Sequence, residues 1–140
     1  MQNKDLIGDY LFRCDARLKA IETLRSLKSW SDVVRESQEV VELALKAYLR
    51  FHNVMPPRVH DVSPTLEENI ALFGKAQTAM VENFIEVSRI MRRDRELAFY
   101  GSEDLTPSQF YKEKDAKIAF GMAKDVVQSV VKIVNATLKE

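Results

Sequence analysis

Apolar residues recur at spacings of three and four along the chain, and this periodicity constrains the fold more than any other feature. A first segment runs from about Lys4 to Leu27, and its apolar stripe consists of Ile7, Leu11, Cys14, Leu18, Ile21 and Leu24. A second runs from about Asp32 to His52, with a stripe of Val33, Val34, Val40, Val41, Ala44, Leu45, Tyr48 and Leu49. Because such spacings place residues on one face of an α-helix, the pattern predicts two amphipathic helices.

A third helical region is predicted after a proline pair. Pro56-Pro57 ends the second helix, because proline lacks the backbone N–H and restricts the residue before it. Ser63-Pro64 starts a new region, since proline is tolerated in a first helical turn. Gly74 divides that region into a short helix and a long helix that ends near Ala98. The stripe of the long helix is Met80, Phe84, Val87 and Met91.

The last predicted helix runs from about Lys112 to near Leu138. Its stripe is Ile118, Met122, Val126, Val130 and Ile133. The run VVQSVVKIV within it is β-branched, so a strand is the local alternative. Helix is favoured because the run continues the helical period that begins at Ile118.

Glycine and proline are scarce, with four of each in 140 residues, whereas sandwiches and barrels need many turns built from them. The sequence therefore predicts one all-α domain over residues 1–140. Its architecture is an up-and-down helical bundle of four long helices, with room for one short helix.

The chain carries 21 basic and 21 acidic residues, so its formal net charge is zero. This balance argues against a protein that binds nucleic acid or a membrane by bulk attraction, and it leaves room for a local patch. The chain contains no apolar run long enough to span a membrane, and the N-terminus lacks the apolar core of a signal peptide. The single cysteine, Cys14, cannot form an internal disulfide. We expect a cytoplasmic protein.

Standard catalytic and phosphate-binding motifs are absent from the sequence. Its two histidines, His52 and His60, cannot form a three-histidine zinc site, and no spacing supports a mixed histidine and carboxylate site. We therefore expect no metal ion and no cofactor.

Two stretches near the second helix carry candidate binding residues. Gln38, Glu42 and Lys46 lie four residues apart, so they share a helix face beside the apolar stripe. They are interpreted either as a solvated face with weak ion pairs or as partly buried groups that face a partner. In the following loop, His60 precedes Asp61, and both are candidate site residues. His60 either orients the next helix or hydrogen-bonds a phosphate. His60 can also act as an acid or base.

Arginines cluster near the end of the long third helix, where Arg92, Arg93 and Arg95 precede Tyr100. Guanidinium groups suit phosphate contacts, and a tyrosine ring can stack on a base. The alternative is a set of solvated arginines paired with neighbouring carboxylates. We expect any ligand groove to combine these residues with the loop that bears His60, and Glu42 and Lys46 are secondary candidates.

The second helix and its loop, Trp30–Ala47 and Met55–Val62, resemble the HEPN family, the higher eukaryotes and prokaryotes nucleotide-binding domain. The shared pattern is a helix with a Glu-x-x-x-Lys-Ala core, then a short loop with proline, then His-Asp. The segments Arg95–Gly101 and Phe110–Ala116 are similar to archaeal-type members. The resemblance spans roughly Trp30 to the C-terminus.

The resemblance implies a helical bundle that commonly forms a homodimer. Exposed apolar stripes on a small bundle favour a dimer as well. Many members pair with a minimal nucleotidyltransferase as toxin and antitoxin. Toxic members are metal-independent ribonucleases, whose signature is an arginine, four to six residues and a histidine.

In this chain the corresponding spacing leads from Arg93 or Arg95 to Tyr100, and no histidine follows His60. The sequence therefore favours a non-catalytic module that binds a nucleotide or a partner. The alternative is a metal-independent ribonuclease that uses the arginine cluster and His60 as a displaced base. A third interpretation is an interaction scaffold that has no ligand.

Overall fold

The computed structural model of the protein describes residues 3–102 and 105–138, except for the side chains of residues 93–99 and 138. Its long helices are α1 (Asn3–Ser26), α2 (Trp30–Phe51), α4 (Thr78–Tyr100) and α6 (Glu113–Leu138). Its short helices are α3 (Ser63–Glu68) and α5 (Pro107–Phe110), and 3-10 turns span Ile70–Phe73 and Lys75–Gln77. No strand occurs in this described part of the chain. The all-α prediction is confirmed, and the VVQSVVKIV run is helical.

Helix α2 lies at the centre of the bundle. It packs against α1, α6 and α4, and every residue of its predicted stripe is buried. Helix α4 also contacts α3 and both 3-10 turns, which connect α2 to α4. The loop after α2 therefore lies close to α4, so residues far apart in the sequence come together there.

The predicted stripes of α1, α4 and α6 also face the core, with one exception. Ile118 of α6 is 49% exposed, so the prediction that it is buried is wrong. It borders an open cleft together with Ile90 and Met91 of α4 and Met122 of α6. The buried face of α6 at this end is formed by Ala116, Ala119 and Ala123, so the predicted stripe was placed too far to one side and Ile118 lies outside the covered face.

Two backbone details set the ends of the helices. Gly101, directly after α4, has a φ of +83°, a conformation that favours glycine. A Cβ atom there would lie 2.7 Å from the carbonyl oxygen of Leu105 and 2.9 Å from the Cδ of Pro107. Helix α5 follows, and it begins with a capping box in which Thr106 and Gln109 bond each other's backbone N–H.

Cys14 lies in the core on the stripe of α1. Its side chain is fully buried, and its Sγ is 3.6 Å from the carbonyl oxygen of Val40. Burial raises the pKa of the Cys14 thiol to about 12, so the group is a small apolar core residue and not a reactive thiolate.

No helix in the described part of the chain has the length and apolarity that a membrane span requires.

Candidate functional site

A narrow cleft lies between α2 and α4 and is bordered by the loop that follows α2. We call it the α2–α4 cleft, and its lining residues are Gln38, Val41, Glu42, His60, Ser88, Met91 and Arg92. Its cavity volume is only about 10 Å³, which is room for about one water molecule. A larger ligand can therefore reach these side chains only from the mouth of the cleft.

Glu42 is the centre of a charged network in this cleft. One carboxylate oxygen lies 3.0 Å from the Nζ of Lys46, and the other lies 2.7 Å from the Nδ1 of His60. The Glu42 and Lys46 side chains are each only 16% exposed, whereas that of His60 is 55% exposed. Because Glu42 holds Nδ1, the imidazole is oriented and its Nε2 is available to a second partner.

Asp61 fixes the loop that carries His60. Its Oδ1 accepts hydrogen bonds from the backbone N–H and the hydroxyl of Ser63, at 3.0 and 2.7 Å, and from the Ser88 hydroxyl at 3.2 Å. The Ser88 oxygen accepts in turn from the backbone N–H of Val62. Partial burial opposes ionisation, but these hydrogen bonds and the nearby charge of Arg92 lower the pKa of Asp61 overall. The loop is therefore anchored to α4.

Gln38 places an unsatisfied amide against the cleft. The residue is 4% exposed, and neither Oε1 nor Nε2 has a hydrogen-bond partner among the described residues. A buried polar group without a partner costs about 1–3 kcal/mol, so its site favours an ordered water molecule or a ligand atom. The amide offers both a donor and an acceptor.

The cleft is electrically balanced when His60 is neutral. Lys46 balances Glu42, and Asp61, which lies behind the cleft, offsets Arg92. Protonation of His60 adds one positive charge. Affinity for an anion would therefore come from direct hydrogen bonds and not from the long-range electrostatic field of a net positive charge.

The structure brings together six of the residues singled out from the sequence: Gln38, Glu42, Lys46, His60, Asp61 and Arg92. Tyr100 lies eight residues beyond Arg92, about 12 Å along the axis of α4, and does not line the cleft. The side chains of Arg93 and Arg95 lie outside the described residues.

The sequence interpretation missed Ser88, because a serine within an apolar helical stripe carries no signal of its own. The importance of Ser88 follows from its tertiary contact with the His60 loop. Gln38 was recognised as a member of the polar stripe on α2, but only the fold shows that its amide is buried without a partner.

Metal binding has no support in the described part of the chain, where no group of three or more histidine, cysteine or carboxylate side chains is placed to hold an ion. What the cleft offers is hydrogen bonding. Arg92 donates, Gln38 donates and accepts, and the Nε2 of His60 does either, depending on its protonation.

Comparison with known proteins gives one match. A family model described as HEPN domain matches residues 7–134, which is most of the chain. No curated protein and no solved structure matches it. Taken with the all-α bundle, the match shows that the chain belongs to the HEPN family, a group of nucleotide- and RNA-related modules.

Proposed function

We propose that this protein is a non-catalytic HEPN module that binds a nucleotide or RNA at the mouth of the α2–α4 cleft. The observation that carries the proposal is the buried, unpartnered amide of Gln38, which lies in the same cleft as Arg92 and His60. Three side chains able to donate hydrogen bonds thus converge on one small opening. Phosphate oxygens are suitable acceptors for such a set.

The size of the cleft decides which part of the ligand it receives. A cavity of about 10 Å³ excludes a nucleobase, so we expect a single phosphate oxygen to occupy the position beside Gln38. Arg92 then bonds the phosphate from α4, and the base and sugar lie outside on the protein surface. Recognition is therefore expected to depend more on the phosphate than on the identity of the base.

Replacing Arg92 with alanine is expected to weaken this binding by about 1–3 kcal/mol, because a charge-assisted hydrogen bond is lost. The measurement is fluorescence anisotropy with labelled single-stranded RNA at low salt, with ATP as competitor. Arg13→Ala is the matched control, since Arg13 is an exposed arginine on α1 that lies 3.9 Å from Asp9. Equal losses in both variants, or no binding by the parent, would contradict the proposal.

A metal-independent ribonuclease is the second candidate, and the contact between Glu42 and His60 favours it. In that reaction the Nε2 of His60 takes the proton of a ribose 2′-hydroxyl as its oxygen attacks the adjacent phosphorus. The 5′-oxygen leaves and takes a proton from solvent, which gives a 2′,3′-cyclic phosphate and a 5′-hydroxyl. The same RNA, incubated with EDTA, stays intact if the module is non-catalytic. Cleavage that His60→Gln abolishes would establish the ribonuclease instead.

The protein is further proposed to form a homodimer through the open cleft between α4 and α6. Ile118 is exposed there beside Met122, and a second copy would cover these side chains. Light scattering is expected to give twice the chain mass of 16.1 kDa. Ile118→Glu should shift the mass toward one chain, whereas Gln128→Glu, an exposed position on α6 with the same charge change, should not. A monomeric parent at micromolar concentration would refute this.

We also propose that the protein pairs with a minimal nucleotidyltransferase as toxin and antitoxin. A second proposal is that it is located in the cytoplasm. The family supports the partner, because many members are paired in this way. The setting is supported by the single buried cysteine, which needs no oxidising environment.

A further inference from the structure

A second and larger concave surface lies on a different face of α4. This groove of about 690 Å³ runs between α4 on one side and α3 with the first 3-10 turn on the other. Three isoleucines contribute its apolar part, namely Ile70, Ile85 and Ile90. Its charged residues are Glu67, Glu82, Glu86 and Arg89. None of the residues that line the α2–α4 cleft belongs to it.

The charge of this groove excludes the ligand proposed for the other site. Arg89 forms an ion pair with Glu67, so those two charges offset each other. Glu82 and Glu86 are exposed and have no cationic partner among the described residues. They lie four residues apart on α4, where two like charges repel. A phosphate would add to that repulsion, whereas a cation would relieve it.

The shape of the groove fits a helix better than a small molecule. From Glu82 to Ile90 the groove follows nine residues of α4, a rise of about 12 Å or slightly more than two turns. A second helix laid along it would present apolar residues at positions i, i+3 or i+4, and i+7 over the same length. Its apolar stripe would cover the isoleucines while flanking side chains reach the glutamates.

We propose that this groove docks an amphipathic helix of a partner protein whose apolar stripe is flanked by lysine or arginine. Charge complementarity identifies the occupant, because Glu82 and Glu86 form an acidic edge beside an apolar floor. Ile70 and Ile90, which are partly exposed, supply the driving force through burial of apolar surface, whereas Ile85 already belongs to the core. The glutamates select a basic helix and fix its register. The interaction does not depend on the α2–α4 cleft.

The test uses two labelled peptides of about 14 residues, built only from leucine, lysine and alanine, with identical composition. One gathers its leucines on a single helix face with lysines beside them, and the other distributes them around the helix. Fluorescence anisotropy at physiological salt is expected to show tighter binding of the first peptide. If the two peptides bound equally, their shared positive charge and not the apolar stripe would account for the binding, and the proposal would be overturned.

Two double variants locate the site. Glu82→Gln with Glu86→Gln is expected to weaken binding of the first peptide by roughly three- to tenfold, since two partly shielded ion pairs are lost. The matched control is Asp5→Asn with Asp9→Asn, which removes the same charge at the same spacing from α1. An equal loss in the control would overturn the assignment.

The apolar floor is tested with Ile70→Ser, a partly exposed position on the first 3-10 turn. It should weaken the first peptide's binding while circular dichroism shows the parent's helix content. Unchanged affinity in this variant would refute docking onto the isoleucines.

Discussion

Replacing Phe84 with alanine is expected to lower the free energy of unfolding by about 3–5 kcal/mol. Phe84 is 1% exposed on α4, and its ring meets that of Tyr48 at 5.4 Å in an edge-on arrangement. Tyr48 in turn contacts the rings of His52 and Phe73, at 4.8 and 5.1 Å. The aromatic cluster joins α2, the first 3-10 turn and α4, so the lost ring leaves a cavity where three elements meet.

Urea denaturation followed by far-ultraviolet circular dichroism measures this effect. The matched control is Phe12→Ala on α1, because Phe12 is 72% exposed and its truncation should change stability by no more than about 0.5 kcal/mol. A loss below about 1 kcal/mol in Phe84→Ala would show that the cluster contributes little to the fold.

The helices could be predicted from the sequence because their signals are local. Each long helix carries an apolar stripe over many turns, and in α2 every residue of that stripe is buried. Helix α5 was not predicted, because its four residues are too few to show a period, and the capping box of Thr106 and Gln109 is seen only in the structure. Ile118 shows the limit of such a pattern, because the buried face of α6 there is formed by small residues, Ala116, Ala119 and Ala123, which give a weaker apolar signal than isoleucine.

The candidate site could be predicted only in part. Glu42 and Lys46 pair within one helix, and their spacing is enough to predict the contact. The contact between Glu42 and His60 joins residues 18 positions apart, and it depends on the path of the loop after α2. No pattern in the sequence encodes that path, so the contact between His60 and Glu42 could not be predicted.

The two histidines illustrate the same point. His52 lies against Tyr48, Phe51 and Phe73, and its Nε2 has no hydrogen-bond partner in the described chain. Burial lowers the pKa of His52, although a hydrogen bond with Gln77 partly opposes the shift. The His60 side chain, in contrast, is exposed and held by a carboxylate. The sequence placed His60 in a loop and named it as a site candidate, but only the fold shows that His52 packs among aromatic rings.

Asp61 carries the second large effect, because it links the His60 loop to α4. Asp61→Ala is expected to lower the free energy of unfolding by about 1.5–3 kcal/mol at neutral pH, since hydrogen bonds to a charged group are lost. The buried hydroxyls of Ser63 and Ser88 lose their shared acceptor at the same time. Asp125→Ala, at an exposed position on α6, is the control and should be close to neutral.

The pH dependence distinguishes this carboxylate from a neutral structural residue. The pKa of Asp61 is lower in the folded protein than in the unfolded chain, so the unfolded chain binds more protons between the two values. The stabilisation is complete above the unfolded value of about 3.9 and is lost as the pH falls toward the folded value. The difference in stability between the parent and Asp61→Ala should therefore be constant from neutral pH to about pH 5 and shrink below about pH 4. A difference that persists unchanged at pH 3 would show that the charge of Asp61 does not hold the loop.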